Sequence, residues 1–219
     1  MIHMPAGEFV MGEGDDAHSV YVDACYVAEH PVTNSAYQRF VEATERTPPR
    51  HWSRGQWQPV LGDHPVVNVS WHDAVAYCRW LTGVTGQVHR LLTEAEWEKA
   101  ARGPEGHTYP WGSDFDDARC NCWEAGIGRT TRVDAFPSGS SPYGVMDMCG
   151  NVWEWCSTLY AAYPYCAGDG REDLEAAGWR VLRGGSWYDA EWGARAARRL
   201  SSDPGQASHN TGFRVGREP

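Results

Sequence analysis

The stretch Arg180-Val-Leu-Arg-Gly-Gly-Ser-Trp187, an irregular polar run after it, and Thr211-Gly-Phe-Arg-Val215 hold the decisive information in this chain. Upstream stands a matching block, Tyr143-Gly-Val-Met-Asp-Met-Cys-Gly-Asn-Val-Trp-Glu-Trp155. Between the two C-terminal blocks lie Tyr188, Asp189, Glu191, Trp192, Gly193, Leu200, Ser201, Ser202, Gln206, Ser208, His209 and Asn210, with no helical or strand period. A mixture of Tyr, Trp, Ser, Gly and Asn is the composition of recognition loops. No cysteine occurs from Trp187 to Asn210.

Working outward, 219 residues with no internal repeat and no linker-like stretch suit one domain over 1–219. Twelve tryptophans are too many for surface anchors, so most are expected in the core with their indole N–H groups bonded. A net charge of −10 excludes a nucleic-acid partner, which requires a concentrated cationic face. No apolar run is long enough for membrane insertion. Met1-Ile-His-Met-Pro5 lacks the regions of a secretion signal, which points to a cytoplasmic protein. The seven cysteines, an odd number, suit reduced and buried thiols. A zinc site from Cys120, Cys122, Cys149 and Cys156 lacks the ligand spacing of structural zinc. Arginine outnumbers lysine 18 to one, the exception being Lys99. Most of these guanidinium groups are expected to pair with carboxylates or carbonyls in loops, in preference to forming an anion site from Arg195, Arg198 and Arg199.

The N-terminal runs Glu8–Gly12 and Val20–Val27 alternate like a half-buried hairpin around a Gly/Asp turn. Three short helices follow. The first starts near Thr33-Asn34 and passes through Tyr37, Phe40 and Val41. The second covers Ser70–Leu81, with Ser70 and Asp73 as a capping-box-like start and Gly83 as its stop. The third is Thr93–Arg102, with a Thr93/Glu96 capping box and Gly103 at the C-cap. Beyond Gly103 the chain is rich in Gly, Pro, Asp and Ser, yet Trp111, Trp123, Phe136, Trp153, Trp155 and Trp179 are spread through it. Disordered segments are poor in aromatics, so ordered irregular backbone pinned by buried tryptophans is expected, with 160–178 the most loop-like part.

Several blocks in fixed order carry a resemblance: Ile2–Gly12, His30-Pro-Val-Thr-Asn34, His64–Trp71, Arg90–Gly103, Tyr109-Pro-Trp-Gly112, Gly150–Trp155 and the Arg-Gly-Gly-Ser-Trp block. Together they resemble the formylglycine-generating-enzyme, or sulfatase-modifying-factor, family nearly end to end. The resemblance implies an α+β, C-type lectin-like fold: a twisted mixed sheet, about three short helices and much irregular structure. The family's oxidases place two copper-binding thiols after Gly-Gly-Ser, which by position fall at about Asp189 and near Ala194. Neither is a cysteine, so copper is not expected. The family's iron-dependent sulfoxide synthases add a histidine-bearing domain for which this chain has no room.

The resemblance also implies structural calcium. One site would use the Asp147 and Glu154 carboxylates with the Gly150 and Val152 carbonyls, and a second would use Asn121 with the Cys122 carbonyl. Sugar recognition by true C-type lectins uses Glu-Pro-Asn or Gln-Pro-Asp, both absent here, and fold alone does not confer it. One family branch, the variable proteins diversified by retroelements, has lost oxidase function and displays a hypervariable segment between the Arg-Gly-Gly-Ser-Trp block and a terminal Gly-Phe-Arg. The expectation is therefore a non-catalytic ligand-binding display module with 187–210 as the variable segment. Its contact residues would be Tyr188, Asp189, Glu191, Trp192, Arg199, Gln206, Ser208, His209 and Asn210, facing a protein or small-molecule ligand. Trp187 is expected in the core, with Tyr188 and Trp192 outward. The alternatives are a metal-dependent oxidase or sulfoxide synthase of the family, and a sensor module of a larger signalling system.

Overall fold

The computed structural model describes residues 1–52, 55 and 57–219, and the three expected helices form where their caps lie. Helix α1 (Asn34–Thr44) starts on Thr33, whose hydroxyl accepts the Ala36 N–H at 3.2 Å. Helix α2 (Trp71–Thr85) opens with a capping box in which Ser70 and Asp73 each accept the other's backbone N–H at 3.1 Å. It does not stop at Gly83. It runs on to Thr85, and Gly86 ends it in the left-handed conformation, φ 73°. A glycine inside a helix costs only about 1 kcal/mol, whereas the residue that closes a helix needs positive φ. Helix α3 (Glu94–Arg102) has both halves of the Thr93/Glu96 box and ends at Gly103 as expected.

The strands are β1 (Ile2–Met4), β2 (Gly7–Met11), β3 (His18–Val22), β4 (Cys25–Val27), β5 (His89–Leu91), β6 (Trp153–Leu159), β7 (Arg180–Arg183), β8 (Arg199–Ser202), β9 (Thr211–Gly212) and β10 (Val215–Arg217). They make an antiparallel sheet of order β1-β4-β10-β5, the hairpin β2-β3, and a sheet of order β8-β7-β6-β9 in which β6 and β9 run parallel. The fold is thus the expected α+β arrangement of three helices and curled sheets, one of them mixed. The hairpin is real, but its return strand ends at Val22, and Cys25–Val27 crosses into the sheet that holds both ends of the chain. Among the described residues no helix is long and apolar enough to cross a membrane.

The irregular 160–178 segment contains no helix or strand, as expected, but tryptophans do not pin it. Trp153 and Trp155 are buried, whereas Trp123 and Trp179 are 62% and 60% exposed. Arginines hold the irregular backbone instead. Arg171 donates to the Ala162 and Pro164 carbonyls and to Asp169. Arg180, stacked on Trp71 at 4.3 Å, donates to the carbonyls of Ser157, Asp173, Leu174 and Ala176. A guanidinium has five donors in a rigid fork, so one side chain can gather several carbonyls that no regular element satisfies.

Helix α3 lies at the centre, and all nine of its residues are buried, among them Glu94, Glu96, Glu98, Lys99 and Arg102. Buried charge is tolerated only when paired and hydrogen-bonded. Arg183 of β7 donates to Glu94 at 3.2 Å and to Glu98. Arg199 of β8 forks onto Glu94 at 2.6 and 2.7 Å, and Arg102 reaches Glu98 at 2.8 Å. Lys99 donates to the Pro5 and Gly7 carbonyls at 2.7 and 2.9 Å, anchoring the N-terminal hairpin. Replacing Arg183 by Leu leaves the fully buried Glu98 Oε2 without a donor and takes one of the guanidinium groups from Glu94, while Arg102 and Arg199 remain. Urea unfolding is expected to show a loss of about 3–5 kcal/mol; a loss under about 1 kcal/mol would contradict this account of the core.

Candidate functional site

The candidate surface begins at the Gly184-Gly185 turn, where both residues have positive φ, 98° and 71°. A Cβ on Gly185 would stand 2.8 Å from the Gly193 carbonyl, so glycine is what lets the chain fold back on itself here. The returning segment closes with Asp189 N–H bonded to Ser186 O at 3.0 Å and Gly193 N–H to Ala190 O at 2.7 Å. These turns throw Tyr188 and Trp192 outward, 59% and 62% exposed. Both were expected there. Trp187 was expected in the core but is half-buried, its ring edge-on to Tyr188 at 5.6 Å and to His209 at 5.5 Å.

The other expected contact residues divide into two groups. Glu191, Gln206 and His209 are exposed. Asp189 turns in: its carboxylate accepts the Trp153 indole N–H at 2.9 Å and the Ser186 hydroxyl. Arg199 also turns in, forked onto Glu94 and lying over Tyr160 and Tyr163 at 4.7 and 4.1 Å. Asn210 accepts the Trp153 N–H through its carbonyl, and its side chain joins Ser208 to Ser186. Asp189 and Asn210 therefore hold the surface from beneath, while Arg199 is tied into the core around helix α3.

The exposed Trp123, which sequence reasoning placed among the buried pins, completes the surface. It heads a short turn, Trp123–Ala125, that follows the buried run Cys120–Cys122. Its N–H donates to Asp189 O at 2.9 Å, and its ring meets Tyr188 edge-on at 6.1 Å and 86°. Glu124 accepts the Glu191 N–H at 3.0 Å, and Glu191 accepts the Tyr109 hydroxyl at 2.9 Å. Burial opposes the Glu124 charge, but the N–H bonds from Glu191 and its own backbone and the Cys122 thiol outweigh it and hold the carboxyl below its ordinary range. Trp192 lies under Arg198 at 5.1 Å.

Beneath this surface three thiols meet. Cys120, Cys122 and Cys149 form a small core with Tyr109 and Ala194, and Cys120 and Cys122 have their sulfurs 3.6 Å apart. Contact with Cys122 favours the Cys120 thiolate, but contact with Cys149 and burial outweigh it and raise the Cys120 thiol far above its ordinary value, and contact with Cys120 and burial do the same to Cys122. Cys156 belongs to a different core cluster, so the four-cysteine zinc alternative does not assemble. All seven cysteines are free, and six are buried.

The expected calcium ligands sit in one loop. Gly150, at φ 80°, passes so close to Asn121 that a Cβ would lie 2.2 Å from the Asn121 carbonyl. Asn151 joins the two expected sites, accepting from Asn121 at 3.2 Å and donating to Asp147 at 3.0 Å. Burial raises the Asp147 carboxyl to about 7, and the buried Asn121 Oδ1 has no hydrogen-bond partner. Both features suit a hard cation as the missing neighbour. Glu154 suits it less, because both its oxygens already serve Arg214, at 2.6 and 2.7 Å, and one also takes the Trp97 indole at 2.7 Å. The Gly150 carbonyl accepts the Val152 N–H at 2.9 Å.

Across its whole length, residues 1–219, the chain matches the family of sulfatase-modifying factor enzyme 1-like domains. It is 34% identical to the inactive C-alpha-formylglycine-generating enzyme 2 of Mus musculus, over 98% of this chain and 84% of that protein. It is also 34% identical to the formylglycine-generating enzyme of Streptomyces coelicolor, over 97% of this chain and 87% of that one. Among solved structures, Treponema denticola variable protein 1 shares the fold with a TM-score of 0.82 at 23% identity, covering 100% of this chain and 95% of the other.

Proposed function

We propose, from the premise that this chain belongs to the sulfatase-modifying factor enzyme 1-like family, that it is a non-catalytic ligand-binding display module. One observation carries the reading. Where the family's oxidases would place their two thiols, this chain has Asp189, tied to Trp153, and Ala194, a fully buried methyl group. Over that vacated position lies an aromatic surface with Trp123, Tyr188 and Trp192 exposed. Identity does not decide between activity and inactivity, since the mouse protein called inactive and the Streptomyces enzyme match equally. The Treponema fold neighbour is a variable protein, and by the same reading 187–210 is the variable segment of a retroelement-diversified binder. The ligand is a protein or small molecule held by Tyr188, Trp192, Glu191, His209 and Gln206, with Trp123 added.

The oxidase reading stands second, on the three thiols packed against Ala194. Thiolate, not thiol, binds soft metals, and the raised Cys120 and Cys122 favour the thiol. Incubated with copper and a cysteine peptide derived from a sulfatase, the protein is expected to leave the cysteine unchanged. Mass-spectrometric detection of formylglycine would replace the display reading with the oxidase.

Calcium is proposed as a structural ion of the 121–154 loops, held by Asp147 and Asn121 side chains and by carbonyls of Cys122, Gly150 and Val152. Glu154 would contribute only by sharing its carboxylate with Arg214. At a free concentration about 100-fold above Kd, such an ion stabilises by about 2.7 kcal/mol. Chelation should then lower Tm by roughly 5–10 °C, at about 2–4 °C per kcal/mol for a chain of this size. An unchanged melt in excess chelator would remove the ion from the account.

The surface itself is tested by Tyr188→Ala and Trp192→Ala. An exposed anchor leaves stability within about 0.5 kcal/mol, whereas a core aromatic costs roughly 3–5 kcal/mol on truncation. Both variants are expected to melt like the parent chain. Loss of folding in both would mean that the recognition surface has been misplaced.

A further inference from the structure

Arginine neutralises the buried carboxylates around helix α3, but not three acids that sit together at the aromatic surface. Glu94, Glu96, Glu98 and Glu154 each hold a guanidinium, as do several exposed acids. None of the ion pairs formed among the described residues includes Glu124, Asp189 or Glu191, which adjoin one another under the aromatic surface. Glu124 spends one oxygen on the Glu191 N–H, and Glu191 spends one on the Tyr109 hydroxyl. Glu124 also takes its own backbone N–H and the Cys122 thiol, but none of these donors is a cation, so neither carboxylate has a cationic partner among the described residues.

The aromatic rings beside these acids are in a comparable state. Trp123 and Tyr188 meet edge to face, and both are more exposed than buried. Two perpendicular rings leave at least one π face open, and such a face attracts a cation. Elsewhere the chain fills equivalent faces from within. Arg198 covers Trp192, while Arg199 lies over Tyr160 and Tyr163 and at the same time forks onto Glu94. The Arg199 site is an internal template: aromatic faces, a carboxylate pair of acceptors and a guanidinium among them. The Trp123–Tyr188 surface has the first two components without the third.

We infer that this surface, bounded by Trp123, Tyr188, Glu124 and Glu191, receives an arginine side chain projecting from a protein partner. The inference rests on the display reading and names the chemistry that the displayed surface takes. Arginine fits better than lysine because a planar guanidinium stacks on an indole or phenol and bonds a carboxylate in the same pose. The net charge of −10 steers a basic surface toward this one and makes the encounter sensitive to salt. Exposed Trp and Tyr next to charged groups are also the residue types that anchor protein interfaces.

The probe is the blocked tripeptide acetyl-Gly-Arg-Gly-amide, with its citrulline isostere as the uncharged control. Nitrogen-labelled protein is titrated while the tryptophan indole N–H resonances are followed, that of Trp123 being assigned by its loss in Trp123→Ala. The arginine peptide is expected to shift the Trp123 resonance saturably and to bind about fivefold or more tightly than the citrulline peptide. Glu124→Gln combined with Glu191→Gln should abolish that difference. Trp179→Ala, which removes an exposed indole at another place, should preserve it. Equal response to both peptides, or a response confined to tryptophans other than Trp123, overturns the inference. Melting curves of Trp123→Ala and Tyr188→Ala, taken alongside, separate the two levels. Unfolded variants would sink the display reading as well, whereas folded variants with no arginine preference remove only the arginine assignment.

Discussion

A carboxylate taken out of water must be met by a cation or by several donors, and the architecture of this chain follows from meeting that demand around helix α3. Glu94 and Glu98 project from the helix, Glu154 from strand β6, and all three are fully buried. Arg102 comes from one turn along the helix itself, and the other partners come from far along the sequence: Arg183 and Arg199 from β7 and β8, and Arg214 from the link between β9 and β10. Arg214 additionally bonds the carbonyls of Ala28, Glu29 and Met146. Strands β7 and β8 are thereby fixed to the helix directly, and β6 with the β9–β10 link through Glu154, which also takes the Trp97 indole, in a chain where much of the backbone has no regular element to align it.

That arrangement explains why the recognition surface can be irregular and still be placed. The Gly184-Gly185 turn starts one residue after Arg183, whose guanidinium is locked between two carboxylates. A Cβ on Gly184 would stand 3.0 Å from the Trp97 ring, so the turn packs on α3 itself. Asp189 and Asn210 then fasten the two ends of the 187–210 segment to Trp153, the first through its indole and the second through its backbone N–H. Beside and between these fastenings some side chains are left outside the core, Tyr188, Glu191 and Trp192 among them, while Ala194 and Arg199 stay tied into it. Scaffold and surface thus use different residues of the same segment.

Much of the scaffold was legible because its signals are local. Thr33, the Ser70/Asp73 pair and the Thr93/Glu96 pair each lie within four residues of the groups they cap, so they read directly from the chain. The ordered block resemblance did the rest for the fold. What escaped reading depends on contacts across long separations. Asp189 and Arg199 have the composition of ligand-contacting residues, and only the positions of Trp153 and Glu94 reveal that they face inward. Trp123 looks like every other tryptophan in a chain that has 12, and its place at the head of the 123–125 turn, edge-on to Tyr188, is visible only in the structure. Gly83 and Gly86 are the same residue type three apart, and the register of α2 on its neighbours chose between them.

Lys99 brings a different kind of consequence. It is the only lysine of the chain, and its ammonium is buried against backbone carbonyls, with burial lowering its pKa from the ordinary value. Every ε-amine in this sequence is therefore sequestered while the fold holds. Acetylation of lysine, ubiquitin-type conjugation at lysine and lysine-directed coupling all need a free, reachable ε-amine, so the native surface offers them none. A label directed at lysine would report on opening of the N-terminal hairpin, where Pro5 and Gly7 release the Lys99 side chain.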